Sequence, residues 1–379
     1  MKTKPYDLLY GLGFELEKMF SNKLPKFARG KSVGYSPEYV YTLHALTPSR
    51  VVSSLSDRSL RVFDTGSGAN IAEIAKLSNA HNSNISGVSV VDNNTAVTAG
   101  EDGVAKVWDF RQNQVTTELS QSANSPLLSI AYSKLTNTVA SGTELVGQDA
   151  GVVLWDLRNP QKPVREYIDS HNDDVTCVAF HATNPHSLLS GATDGLVTRY
   201  NTTISDEDDA VMQVVNHGAS IHCTGFFGND IYALSHMETF SIYRPTDKDD
   251  EAEEDKPENQ ATVFGDVREQ WGCEYVVDIG KGYVAVGSNS DAKLSLIPMK
   301  GEKVFLQHRI ELPGAHGEEV VRCVLVDERN SRIFTGGEDG NVSVWQMEGH
   351  IGEADSEWSE VGNDRQKRKK QREKRFKPY

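Results

Sequence analysis

AGEDGVAKVWDF, residues 99–110, decides how the rest of the chain is read. Asp102-Gly103 has the composition of a tight hairpin turn. Glycine supplies the positive φ such turns require, and the aspartate accepts hydrogen bonds from nearby backbone amides. The residues that follow alternate, with Val104, Lys106 and Trp108 on one face and Ala105 and Val107 on the other. A period of two is a strand. One hairpin is not a fold, so the test is recurrence.

The pattern recurs. GATDGLVTRYN covers 191–201 and GGEDGNVSVWQM covers 336–347. Looser copies are SLSDRSLRVFD (54–64) and AGVVLWDLR (150–158). Asp57, Asp102, Asp194 and Asp339 each stand six residues before an aromatic: Phe63, Trp108, Tyr200 and Trp345. Upstream of several turns a histidine precedes an apolar strand pattern: His81 before GVSVV, His171 before VTCVAF, His316 before VVRCVLV. IHCTGFF–IYALS–FSIY and EYVVDI–YVAVGS–KLSLI repeat the spacing without the signature. A period near forty residues is the mark of a repeat architecture.

Short strands, a His-led inner strand and a closing Trp-Asp together resemble the WD-repeat family. The resemblance covers roughly residues 39–347. It implies an all-β fold, a seven-bladed β-propeller, with blades starting near Tyr39, Asn79, Ser125, Asp169, Val215, Trp271 and Ala315. The motif is complete or nearly so in blades two, four and seven and degraded in the others. The resemblance also implies a hydrogen-bonded His–Ser/Thr–Asp–Trp set in each good blade. Blade two would use His81, Thr98, Asp102 and Trp108, and blade seven His316, Thr335, Asp339 and Trp345. Blade four would use His171, Ser190 and Asp194, with Tyr200 in place of Trp. Such buried polar sets stabilise only when every member is satisfied. On this reading the Ser/His/Asp constellation is structural and not hydrolytic.

A chain of 379 residues accommodates one propeller plus tails. No apolar run is long enough to span a bilayer, and Asp7, Glu15 and Glu17 interrupt the apolar stretch of the amino terminus, which does not read as a signal peptide. The expected compartment is the nucleus, including the nucleolus, with the cytoplasm as the alternative. The four cysteines, 177, 223, 273 and 323, have no metal-ligand spacing. They read as small residues of inner strands, Cys273 included, and no disulfide, metal or cofactor is expected.

Outside the repeats, residues 1–38 form an extension in which Phe14–Phe20 has helical character and Lys31–Tyr35 reads as a strand. No convincing fourth strand follows Trp345, so the extension is expected to supply the outer strand of the last blade and protect its edge. SDEDD (205–209) and TDKDDEAEEDKPEN (246–259) read as disordered, solvated acidic runs or as docking elements for a basic partner. Residues 348–379 begin as an acidic linker and end in RQKRKKQREKRFKPY, a basic tail expected to be disordered, with nine Lys/Arg and one Glu. The chain carries −15 overall, which leaves residues 1–364 at −23. Lys367-Arg368-Lys369-Lys370 reads as a nuclear localisation signal, with weaker potential for RNA contact through the tail. The acidic body disfavours nucleic acid on the propeller itself.

Phosphate-cradling loops, zinc-protease motifs and nucleophile elbows are absent from the sequence, and no enzymatic activity is expected. One further motif stands out. Trp108-Asp109-Phe110-Arg111 and Trp155-Asp156-Leu157-Arg158 end the third strands of consecutive blades. They resemble the Trp-Asp-x-Arg boxes of WD-repeat substrate receptors of cullin-RING ubiquitin ligases. That resemblance implies adaptor contacts by Arg111 and Arg158, oriented by Asp109 and Asp156. The sequence thus points to a monomeric, protein-binding scaffold with a basic client such as a ribosomal protein or histone. The ligase receptor is the alternative.

Overall fold

A computed structural model describes residues 26–66, 68–121, 123–246 and 261–347. Seven antiparallel sheets follow one another along the chain, six of them with strands in simple sequence order. Their inner strands are Val40–Thr47, Ile85–Asp92, Leu127–Ser133, Cys177–Phe180, Ile221–Phe227, Tyr275–Gly280 and Val321–Asp327. The inner strand of blade five begins at Ile221. Val215, where the repeat spacing placed its start, lies in the outer strand Val211–Asn216 of blade four.

Alternation within each strand sends its apolar side chains to both faces of the blade, and each face is buried against a neighbour. In the third strand of blade two, Trp108 packs toward blade one with Leu60, Val62 and Val88. Ala105 and Val107 pack toward blade three with Leu127 and Trp155. The buried apolar side chains fall into seven clusters, one at each junction between consecutive blades, including a junction of blade seven with blade one. Seven junctions for seven blades means a closed ring.

Closure uses both ends of the described chain. The outer strand of blade seven is Phe27–Gly34, which pairs antiparallel with Asn341–Met347, Phe27 opposite Met347 and Val33 opposite Val342. The helix reading of Phe14–Phe20, most of the second acidic run and residues 348–379 lie outside the described residues.

Two polar clasps lock the same seam. Arg332, only 2% exposed, donates to the carbonyls of Thr65 (2.8 Å), Gly66 and Gly68 (both 3.3 Å) and Pro48 (3.1 Å) in blade one, and pairs with Asp327 at 2.8 Å. Tyr35, just beyond the closing strand, donates to Glu73 at 2.5 Å and lies under the Arg61 guanidinium, 4.0 Å from its ring centre. Arg61 in turn pairs with Asp57 and Glu73, both at 2.9 Å.

The first acidic run departs from expectation. SDEDD contains a one-turn helix, α1 (Glu207–Ala210), with Asp206 as its N-cap. Glu207 accepts the backbone amides of Ile168, Asp169 and Ser170 and the Ser170 hydroxyl. A carboxylate that satisfies three otherwise open amides of the loop entering its own blade is an ordered tie, not a solvated insertion.

Removing residues 1–34 deletes the closing strand and leaves the Asn341–Met347 edge unpaired. The expected outcome is a drop in melting temperature of at least about 10 °C or aggregation on expression, followed by circular dichroism.

Candidate functional site

The antiparallel meander gives the ring two unlike ends. Turns between strands two and three lie at one end with the loops that enter each blade; the remaining turns lie at the other.

The three complete polar sets stand at the first end. In blade two the His81 ring meets Asp102 through Nδ1 at 2.9 Å and Thr98 through Nε2 at 2.6 Å, while Trp108 Nε1–H donates to Thr98 Oγ1 at 3.0 Å. The carboxylate makes Nδ1 the protonated nitrogen. Nε2 is then the acceptor for the threonine hydroxyl, and each buried donor has one acceptor. Burial lowers the His81 pKa, so the ring is neutral, although Asp102 works against that shift. Asp102 is itself held low: burial opposes this, but the Asn82 amide and His81 outweigh it. Blade seven repeats the set with His316–Asp339 at 2.6 Å, His316–Thr335 at 2.8 Å and Trp345–Thr335 at 3.1 Å. Blade four has His171–Asp194 at 3.1 Å and His171–Ser190 at 2.6 Å, with the Tyr200 hydroxyl 3.2 Å from that of Ser190. The histidines are 1–2% exposed, which leaves them no reach to a substrate.

The degraded blades keep the turn and change the chemistry. Gly103, Gly195 and Gly340 adopt φ of 79°, 85° and 73°, and the corresponding left-handed positions elsewhere hold Arg58, Glu238 and Ala292. Asp57 has no histidine and turns to Ser59, Arg61 and Lys76. In blade five His217 bonds the Tyr243 hydroxyl and Thr239; in blade six Glu274 accepts from Asn289 and Ser290. The sequence pattern missed these sets because the Asp-Gly turn is gone: His217 and Tyr243 hold the positions of His81 and Trp108, but Met237-Glu238 stands where Asp102-Gly103 would be.

The arginine boxes lie at the other end. Arg111 grips Asp109 through Nε (3.0 Å) and Nη2 (2.7 Å). Arg158 grips Asp156 with both atoms at 2.8 Å. Both arginine side chains are about two-thirds exposed, at 67% and 69%. The arginine beside it lowers the pKa of each carboxyl, and holds that of Asp109 well below the usual carboxylate range. A third fork of the same kind, Arg268 on Asp266, follows the outer strand of blade five; it was not anticipated because no Trp precedes it.

All four cysteines are free thiols. Cys177, Cys223 and Cys323 lie in inner strands; Cys273 does not. It follows helix α2 (Arg268–Trp271), two residues ahead of its strand, because Gly272 caps the helix in a left-handed conformation. Burial pushes the Cys273 thiol up to about 11. Among the described residues no group of three or more His, Cys, Asp or Glu is placed to hold a metal ion, and no helix is long and apolar enough to cross a membrane. Lys367, Arg368, Lys369 and Lys370 lie outside the described residues.

The comparisons with known proteins agree with this geometry. The family model "WD domain, G-beta repeat" matches residues 73–109, 161–201 and 307–346. Those segments end in the third strands of blades two, four and seven, the blades with complete sets. An uncharacterised WD repeat-containing protein of Saccharomyces cerevisiae is 40% identical over 301 residues, 78% of this chain and 75% of that one. The chain belongs to the WD-repeat family. The WD repeat-containing protein 89 homolog of Dictyostelium discoideum is 26% identical over 362 residues, 92% of this chain and 94% of the relative. The Ribosome biogenesis protein WDR12 homolog of Culex quinquefasciatus is 29% identical over 167 residues, 33% of this chain and 38% of that protein. This WD-repeat protein therefore shares its layout over nearly full length with some relatives and over a third with others.

Two substitutions test the polar groups. Thr98→Val removes the shared hydroxyl and leaves His81 Nε2 and Trp108 Nε1 buried without partners; we expect a loss of about 2 kcal/mol in urea unfolding. Asp278, on the inner strand of blade six, is pushed up to about 6 by burial, against hydrogen bonds from the Ile279 amide and Tyr283. A raised carboxyl pKa means that the folded state binds the proton more tightly than the unfolded one. Stability therefore falls as pH rises from about 4 to about 6. Asp278→Asn should raise the melting temperature at pH 8, by the equivalent of about 1–3 kcal/mol, and leave it nearly unchanged at pH 4. Paired thermal melts at the two pH values check this.

Proposed function

We propose that this WD-repeat protein is a non-catalytic, nuclear interaction scaffold that binds and escorts a basic client, such as a ribosomal protein or a histone. The single observation that carries this reading is charge. The chain is −15 overall and −23 without its last fifteen residues. Part of that charge lies on the described ring, where acidic side chains stand on short turns of a rigid frame. Side chains already fixed by a scaffold lose little conformational freedom on binding. Complementary potential speeds the capture of a basic protein and makes it salt-sensitive. The family is generally a scaffold fold, and the name of one partial relative refers to ribosome biogenesis; both support the reading. Import is assigned to Lys367–Lys370.

The bidentate Asp109–Arg111 and Asp156–Arg158 forks on adjacent blades favour one other reading, a cullin-ligase substrate receptor that docks its adaptor through Arg111 and Arg158. The two separate in one experiment. The tagged full-length protein is isolated from cells at low and at moderate salt, and its companions are identified by mass spectrometry. Under the escort reading a basic protein is retained at low salt and lost at moderate salt, and Arg111→Ala with Arg158→Ala leaves it bound. A cullin adaptor that survives moderate salt and disappears in that double variant overturns it.

A further inference from the structure

The end of the ring that carries the arginine boxes has an open apolar groove. It begins at Phe27, the first residue of the closing strand. Phe27, Leu296, Pro298, Ile310 and Ile333 line a small cavity of about 40 Å³ at the junction of blades six and seven. Phe27, Tyr283 and Val326 pack on the apolar cluster of that junction and stay only half-buried. Tyr283, Val326, Asp327 and Glu328 continue into a second cavity of about 490 Å³, which Leu46, Val51, Leu325 and Phe334 also line. Turns of blades one, two, six and seven, at Pro48, Asn93, Lys281 and Glu328, enclose it. It therefore lies at the mouth of the channel that the inner strands surround. Lys281 and Arg329 are exposed there, and among the described residues neither takes part in an ion pair.

Residues 1–25 and 348–379 lie outside the described residues, and both join the ring at this end, because Phe27 stands opposite Met347. Phe27 lines the groove and Met347 does not. The amino-terminal segment also carries the larger apolar stripe. Leu9, Leu12, Leu16, Met19 and Phe20 recur every three or four residues, the spacing of one helix face. Glu15 and Glu17 border that stripe, one on each side. Residues 348–364 offer only Ile351, Trp358 and Val361 as large apolar side chains. A helix as short as residues 9–20, with Gly11 and Gly13 inside it, is not stable alone in water and needs an apolar surface to fold against.

The tether is long enough. The seven residues from Phe20 to Phe27 span up to about 24 Å. The inner strand of blade seven lies three strand spacings, about 14 Å, from the closing strand. We infer that residues 9–20 dock in this groove as a helix of the same chain and close this end of the channel. The stripe covers Tyr283, Leu325 and Leu46, and Glu15 and Glu17 face Lys281 and Arg329. The inference does not rest on the escort reading.

The test is hydrogen exchange of the full chain read by mass spectrometry, with a synthetic peptide of residues 6–22 as the undocked reference. In the parent, amides of residues 12–20 should exchange at least tenfold more slowly than in the peptide. Leu16→Glu with Met19→Glu should remove that protection and make the turns at 281–283 and 328–331 exchange at least threefold faster. Ala45 is exposed at the channel mouth, so Ala45→Arg obstructs the groove, leaves the segment intact and should release residues 12–20 in the same way. Trp358→Glu with Val361→Glu should change neither. Unaltered exchange in the turn 101–103 and melting temperatures within a few degrees of the parent show that each variant is folded. Residues 12–20 that exchange as fast in the parent as in the peptide overturn the inference. So does protection that survives Ala45→Arg, which places the segment elsewhere. Groove turns that respond to the Trp358/Val361 variant instead overturn it in favour of the carboxyl-terminal segment. A parent that sediments as a dimer and loses the protection on dilution overturns docking within one chain and gives the groove to a second copy.

Discussion

Every blade of this ring depends on a seam made from two distant parts of the chain. A four-stranded sheet with two apolar faces is stable here only between two neighbours, and blade seven has its fourth strand only because Phe27–Gly34 returns to lie along Asn341–Met347. The seam is strengthened where the backbone alone would be weakest. Val33 and Tyr35 pack into the apolar cluster that joins Val40, Phe63, Phe334 and Val344. Arg332 crosses the junction beneath them and fills four carbonyls of blade one. A guanidinium buried to this degree is tolerable only because its donors are met on all sides and Asp327 balances its charge. The clasp therefore demands one geometry of closure, and a ring of a different circumference would leave it unsatisfied.

The same demand explains the polar sets. Their shared task is to tie the turn between strands two and three to the loop that enters the blade. His, Thr and Asp do so in blades two and seven, and Glu274, Asn289 and Ser290 do so in blade six. In blade one Glu38 and Ser56 make the tie, with Ser56 also accepting the Tyr39 amide. What is constant is a buried or half-buried polar bridge with no orphaned partner.

This is why part of the structure could be read from the residues and part could not. The Asp-Gly turn, the alternation after it and the tryptophan beyond are local, and they identify a blade wherever they occur together. Arg58, Glu238 and Ala292 take up the left-handed turn position without glycine, so the turn persists where its signature has gone. The Glu207 tie to residues 168–170 spans about forty positions, and nothing within SDEDD distinguishes an anchoring carboxylate from a solvated one. Cys273 resembled the other inner-strand cysteines in its neighbours, but Gly272 ends a helical turn there and displaces it. The arginine boxes were visible as motifs, whereas the gathering of Glu101, Glu144 and Asp173 at one sector required knowing which turns share an end of the ring.

That last distinction bears on which surface a partner can use. Arg111 and Arg158 are exposed, but each already spends one edge of its guanidinium on a bidentate bond to its own aspartate, and Arg158 gives another donor to the Thr136 carbonyl. A partner carboxylate arriving there must share a charge that is already neutralised. At the opposite end Glu101 and Glu144 sit on turns fixed by backbone hydrogen bonds, and among the described residues neither carboxylate takes part in an ion pair, although that of Glu101 accepts from Ser83 and Asn84.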